Sequence, residues 1–477
     1  MSPRKTLTRR QFVRLAAGTS ALAAYLAACQ AAPQGAPAQP QAPAQPAEQQ
    51  PAEAAPAPAA EKITLRRYAS MEKDHFPLFE AQRNKFAEKY PNVTIEEVGV
   101  PWSEYITKVR VLLNSGEIPD IFWFMRFGMW DPGIEAATYL KEEIIADASD
   151  IFDTQSARTF RNIVDAGKVD GKLVGMPFEV FSDGVNWMYN EEILNRTGLQ
   201  PLPQNPSFGQ VNDFLTEAKG KVAADEFALG PGSWQFWSAF MAASADQPGF
   251  HGMVNEEATE SIIGAEANVK TVAMLARFYR THVLARGDAA PPHLDGMLGG
   301  KVLIAPMSTW AATQMNTARF EYGSHSGPRY EGVEPRVDGY TGINFWTFAR
   351  DGQHTKEAAD FCYFCGAQEG LDIWAGSGRF APTDKYTVED YITFARANNQ
   401  LGEREKGFRA AVTTNFDTVK HLKTWPIPPK AYWGQYLSKL NEVMQEVVEG
   451  KTEDEARIAE LLKKAQEETN KVLAGMA

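Results

Sequence analysis

Apolar positions along residues 63–126 switch between two periods. Ile63-Thr64-Leu65-Arg66-Arg67-Tyr68 alternates apolar and polar residues, the pattern of a strand with one buried face. Phe76, Phe79, Phe86 and Ala87 then recur at helical spacing, and Pro91 follows the end of that helix. Val93-Thr94-Ile95-Glu96-Glu97-Val98 is a second strand. Ser103 is placed to cap a helix whose apolar face is Tyr105, Ile106, Val109, Leu112 and Leu113, and Gly116 to end it. Pro119 to Phe124 opens a third strand, apolar on both faces. Strand, helix, strand, helix, strand predicts a parallel sheet covered by helices on both sides.

The alternation returns more loosely downstream. Strands are expected over 172–180, 184–189, 300–307 and 342–348, and helices over 211–222, 269–282 and 355–366. The Gly-, Pro- and charge-rich stretch 323–339 reads as an exposed loop. Near the C-terminus, Leu437, Leu440, Val443, Met444, Val447 and Val448 form one apolar stripe, and Leu461, Leu462, Ala465, Val472 and Leu473 form another. Gly450 is placed to close the first of these helices, and Thr452 with Glu455 reads as a capping box opening the second. Such stripes are expected to pack on their own domain.

The N-terminus follows different rules. Residues 1–14 carry Arg4, Lys5, Arg9, Arg10 and Arg14 and no acid, and a mildly apolar stretch runs from Leu15 to Ala28. That stretch is shorter than the about 20 residues a spanning helix needs, so residues 1–28 read as a signal peptide. Thr8-Arg9-Arg10-Gln11-Phe12-Val13 resembles a twin-arginine export signal, and Leu26-Ala27-Ala28-Cys29 a bacterial lipobox. Cys29 is therefore expected to begin the mature chain, acylated and anchored in a membrane. From Gln30 to Ala60 there is no Val, Ile, Leu or aromatic residue, and prolines recur throughout. Residues 29–61 are thus expected to be an extended tether without a core.

Composition narrows the function. Lys plus Arg number 48 against 60 Asp plus Glu, a net charge of −12, which argues against nucleic acid as a partner. No H-E-x-x-H, Walker A or EF-hand pattern occurs, so no metal or other cofactor is expected. Three Cys exclude a disulfide framework. Cys362 and Cys365 form C-x-x-C at the wrong end of a helix for a low thiol pKa, among Phe361, Tyr363 and Phe364, and are expected to be buried structural thiols.

Several segments, in order over nearly all of 62–477, resemble the solute-binding proteins of ABC importers, in the carbohydrate class that includes maltose-binding proteins. They are Phe86-Ala87-Glu88-Lys89-Tyr90-Pro91-Asn92-Val93, Ser115-Gly116-Glu117-Ile118-Pro119-Asp120-Ile121, Asp170-Gly171-Lys172-Leu173-Val174-Gly175-Met176-Pro177, Trp187-Met188-Tyr189-Asn190, Met297-Leu298-Gly299-Gly300-Lys301-Val302 with Trp310, and Gly450-Lys451-Thr452 to Ala456. Pro203-Gln204-Asn205-Pro206-Ser207-Phe208 departs from the usual "P-x-T-W-x-E". The resemblance implies an α/β, two-lobe, type II periplasmic-binding-protein fold with a cleft between lobes. Lobe 1 would be 62–177 and 342–378, lobe 2 178–341 and 379–477, with crossovers near Pro177, Gly342 and Arg379. It also implies a monomeric, extracytoplasmic protein, tethered through its lipid, that hands a sugar or oligosaccharide to an ABC permease.

A carbohydrate needs flat aromatic faces and planar polar groups. By position in the family's motifs, Trp123, Trp234, Trp310 and Trp433 are cleft candidates, and Trp346 a further one that strand alternation could turn inward. For every Trp the competing role is core packing. Glu179 and Asp183 follow Pro177 and so should emerge at the cleft, or else form a surface salt bridge or a hinge hydrogen bond. Arg126 suits either sugar hydroxyls or an anionic ligand group. An exported glycoside hydrolase with paired carboxylates is the alternative of another class. No nucleophile-elbow or triad pattern supports it.

Overall fold

The computed structural model describes residues 61–72, 75–126, 139–149, 151–152, 159–183, 186–230, 249–250, 254–255, 259–281, 293–328, 340–398, 401, 404–419, 430–448, 452 and 454–475. Of the chain's two compact units, Met1–Ala59 lies outside these residues, with the signal, lipidation and most of the tether readings. Among its described residues the second unit, Ala60–Ala477, contains a five-stranded sheet, a four-stranded sheet and two two-stranded ribbons.

In the first sheet, β1 (Ile63–Ser70) pairs in parallel with β2 (Val93–Val100) and β3 (Ile121–Arg126). The helices between them are α1 (His75–Lys89) and α2 (Trp102–Ser115). β4 (Met176–Asp183) and β9 (Tyr340–Phe348) complete the order β2-β1-β3-β9-β4, with β9 antiparallel to both neighbours. The second sheet has the order β8-β5-β7-β6, from β5 (Asn186–Asn190), β6 (Phe227–Leu229), β7 (Val302–Met307) and β8 (Tyr322–Ser326).

Gly116 ends α2 as expected, in the left-handed region at φ 81°. Ser103 does not cap it. The N-cap position is Pro101, without a side-chain hydrogen bond, and Trp102 is already helical. At the C-terminus, Asp454 rather than Thr452 caps the last helix, its carboxylate accepting from the Ala456 amide. Part of the stretch read as a loop is strand β8. Its sequence, Tyr-Gly-Ser-His-Ser, carries no apolar alternation, yet it pairs with β5 from Tyr322 to Ser326. Gly323 permits that pairing, because a Cβ there would lie 2.2 Å from the Tyr189 ring. Residues 329–339 of the stretch lie outside the described residues.

The cores follow the sheets. Ile121 to Met125 are all buried, as a central strand covered on both faces requires. Around the second sheet, β7 divides its side chains. Val302, Ala305 and Met307 join the first sheet's core, while Leu303 and Ile304 join a second core with the stripes of the C-terminal helices Lys430–Val448 and Glu455–Ala474. The C-terminal helices therefore pack on their own domain, against Glu266–Arg280. Phe76, expected on the buried face of α1, is instead 53% exposed, and Ala87 is exposed as well.

Candidate functional site

Strand direction defines a single working edge in each lobe. In the first sheet, the C-terminal ends of β1, β2, β3 and β4 and the start of β9 lie together, since Ile343 pairs with Arg126 and Tyr340 with Asp183. Three residues after Asp183 the chain begins β5 of the second sheet. There Met307 and Ser326 pair with Asn186, and β6 runs parallel to β7. The edge nearest the crossover thus carries the turn after β7, with Trp310, and the end of β6. Carboxyl ends of strands at a crossover are where open α/β sheets bind ligands.

On the first edge, the starts of α1 and α2 bring Phe76 and Trp102 forward. The Trp102 amide donates to Glu72 Oε1 at 2.7 Å, fixing the entry to α2 against the end of β1. The Trp102 ring stacks on Tyr105 and is partly buried. Tyr105 is buried, its hydroxyl donates to the Trp123 carbonyl, and burial raises its pKa well above the ordinary value. Arg126 is the last residue of β3 and Asp183 the last of β4, so both stand at this edge.

On the second edge, Trp310 immediately precedes the short helix Ala311–Met315 and is half-buried. A polar relay holds its turn. Asn415 Nδ2 donates to the Thr309 carbonyl at 3.0 Å, and Asn186 Nδ2 donates to Asn415 Oδ1 at 2.9 Å. Ser324 Oγ donates to Asn186 Oδ1. Trp234 lies outside the described residues. Trp433 is in the first turn of the helix Lys430–Val448.

Trp346, Trp123 and Glu179 do not present a face to the cleft. Trp346 is fully buried and Trp123 is 4% exposed. They are paired residues on β9 and β3, their rings 6.1 Å apart, and they pack with Phe178 and Trp374. Alternation has turned both rings into the lobe. Glu179 is 1% exposed and is bonded to the two other segments expected as crossovers, accepting from Asn344 Nδ2 at 2.7 Å and from Arg379 Nη1 at 3.1 Å.

The three segments expected as crossovers lie side by side, since the Val180 amide also donates to the Phe380 carbonyl at 2.9 Å. Phe76 and Trp102 were missed as site residues. A helix-spaced Phe reads as core, and only its place in the first turn after a parallel strand marks it as an edge residue.

Cys362 and Cys365 are free and buried near the end of Thr355–Ala367. Burial pushes the Cys365 thiol up to about 12, against the lowering effect of Arg67, and raises Cys362 as well. Such thiols are poor nucleophiles. Among the described residues no His, Cys, Asp and Glu group is arranged to hold a metal, and no helix is long and apolar enough to cross a membrane.

The sequence profile of the bacterial extracellular solute-binding proteins matches residues 81–394, about two thirds of the chain. The chain belongs to that family. No curated protein sequence matches it significantly. Solved structures match its fold. An ABC substrate-binding protein from Listeria monocytogenes, in complex with cycloalternan, is 17% identical over 87% of this chain and 100% of its own, with TM-score 0.68. A Thermus thermophilus maltotriose binding protein, bound with maltotriose, is 13% identical over 86% and 100%, with TM-score 0.63. A sugar transporter from Rhizobium etli in an open conformation is 15% identical over 85% and 99%, with TM-score 0.62. This solute-binding protein therefore has the two-lobe, type II periplasmic-binding fold, and its family and fold neighbours are binding proteins, not enzymes.

Proposed function

We propose that this solute-binding protein captures a sugar or oligosaccharide between its lobes and delivers it, by cleft closure, to the permease of an ABC importer. The observation that carries this is the pair of aromatic strand-end turns, with exposed Phe76 and part-buried Trp102 on one sheet edge and Trp310 on the other. Aromatic faces on two sides suit a sugar, whose C–H faces stack while its hydroxyls need polar partners. Arg126 and Asp183, the last residues of β3 and β4, are candidates for such partners, as Trp234 and Trp433 are for further rings. The fold neighbours that hold cycloalternan and maltotriose support the ligand class. Trp123, Trp346 and Glu179 act beneath the surface, shaping the platform without touching ligand.

Closure gives the importer something to recognise, since it changes the spacing of the two outer surfaces. Upstream, Cys29 would carry the lipid and residues 30–60 would hold the lobes off the membrane. Cys29→Ser should then release the protein from membranes. A variant that still sediments with them would place the anchor elsewhere.

Native mass spectrometry of protein purified without added ligand, followed by calorimetry with the sugar found, tests the capture. Trp310→Ala should weaken binding by about 1–3 kcal/mol, the contribution of burying a large apolar side chain. Binding as tight as wild type would make Trp310 a packing residue and move the cleft.

A further inference from the structure

A buried polar chain runs beneath the working edge of lobe 1. The Arg379 guanidinium donates through Nη1 to Glu179 Oε1 at 3.1 Å, and its Nη2 lies 2.9 Å from His75 Nε2. Glu179 Oε2 accepts from Asn344 at 2.7 Å. His75 Nδ1 is 2.9 Å from the Ser70 carbonyl. Relative exposures are 5% for Arg379, 1% for Glu179, 2% for Asn344 and 4% for His75. Glu179, Asn344 and Arg379 come from the three different segments expected to cross between lobes. His75 is the first residue of α1, next to exposed Phe76.

The chemistry fixes the hydrogens. A guanidinium only donates, so Nε2 must accept and the ring must be neutral. The ring proton then sits on Nδ1 and goes to the carbonyl of Ser70, the last residue of β1, at 2.9 Å, the nearer of the two polar neighbours of Nδ1, the other being the Glu72 amide nitrogen at 3.3 Å. The ring of His75 is further enclosed by Phe79, Trp123 and Trp374, and Arg379 lies 5.0 Å over the Trp374 ring. His75 is thus held at both nitrogens while its sequence neighbour stands in solvent.

We propose that Arg379 is a positioning residue for solute capture. Through neutral His75 it locks the start of α1, and with it the Phe76 platform, to the lobe 1 ends of all three crossovers. Those ends and the platform move as one body, and closure bends the chain on the lobe 2 side of the lock. An Arg is needed because only its fork reaches His75 and Glu179 together. A Lys could satisfy one of them.

The inference rests on the proposed capture function for its ligand arm and is independent of it in a second arm. The ligand arm uses maltotriose, maltotetraose and cycloalternan as probes, with Arg379→Lys, His75→Phe, Phe76→Ala and the double variant His75→Phe/Phe76→Ala. Arg379→Lys and His75→Phe should each weaken the best-bound probe roughly tenfold at a temperature where both are folded. The double variant should bind no worse than Phe76→Ala alone, because His75 acts through Phe76.

The ligand-free arm reads hydrogen exchange at the start of α1 and the nitrogen NMR signature of His75. The wild type should show the Nδ1–H tautomer and protected amides. Arg379→Lys should lose both, and His75→Gln, which keeps an acceptor, should restore protection relative to His75→Phe. If no probe binds the wild type but exchange behaves as stated, the sugar assignment fails and the lock stands. Unchanged exchange and tautomer in Arg379→Lys, or additive losses in the double variant, overturn the proposal.

Discussion

Replacing Glu97 by Gln should destabilise lobe 1 strongly. Arg67 on β1 is fully buried and sits opposite Glu97 on β2 in the parallel register. Its Nε donates to Glu97 Oε2 at 2.8 Å, and its Nη2 to Oε1. Gln82 Oε1 at 2.9 Å and the Phe79 carbonyl at 3.3 Å take two further donors. The guanidinium lies 4.2 Å over the Phe79 ring and 4.9 Å over Phe361. Neutral partners and rings stabilise a cation but do not neutralise it. Only Glu97 does that among these contacts, and its side chain is just 10% exposed.

Leaving one charge of a buried pair without its partner costs about 3–5 kcal/mol. The amide still accepts one hydrogen bond and reaches some water, which places Glu97→Gln near the lower end, at about 3 kcal/mol. Arg67→Met/Glu97→Gln removes both charges from a dry site. It should recover at least about 1 kcal/mol relative to Glu97→Gln, because the desolvation cost goes with the charge. In thermal unfolding, with each kcal/mol worth about 2–4 °C for a lobe-sized unit, the single variant should lower the lobe 1 transition by roughly 6–12 °C. A loss below about 1 kcal/mol, or a double variant worse than the single one, would show that Arg67 is hydrated and the ion pair incidental.

Two further predictions concern lobe 2. His325 is buried, its Nδ1 donating to the Ser326 carbonyl at 2.7 Å, and burial pushes its pKa down to about 4. The unfolded chain binds a proton near pH 6.5 and the folded chain does not, so stability falls as pH drops from 6.5 toward 4, by up to about 3 kcal/mol. His325→Gln should flatten that part of the pH–stability curve, and an identical curve would refute the assignment. Gly323→Ala drives a Cβ into the Tyr189 ring and should cost about 1–3 kcal/mol in denaturant unfolding. No loss would mean that Tyr189 swings aside freely.

Elements with strong periodicity were legible in the sequence, and those set by tertiary partners were not. Ile63–Ser70, Val93–Val100 and Ile121–Arg126 fall where alternation or continuous apolar runs place them. Strand β8 has no such pattern, since it is built to pair with β5 and to spare the Tyr189 ring a side chain. Capping was legible at Gly116, where backbone geometry alone decides. It was misread at Ser103, because that helix begins at Trp102 behind Pro101, which offers no side-chain cap, and at Thr452, where Asp454 takes the position.

For the candidate site, the segments were found more surely than the side chains. The carboxylate at 179 was placed at the crossover, but its Arg379 and Asn344 partners lie 200 and 165 residues away in sequence. Trp123 and Trp346 carry the composition of a sugar platform and serve as core. Indole packing and sugar stacking use the same residue, and only burial separates them. Phe76 carries the composition of core and stands at the edge.

Small-angle scattering of the folded unit, with and without the sugar identified by native mass spectrometry, tests capture by closure most directly. A radius of gyration that falls on saturation, together with a shift or quench of Trp fluorescence, is the predicted result. A saturated protein whose radius of gyration is unchanged from the ligand-free form would contradict it.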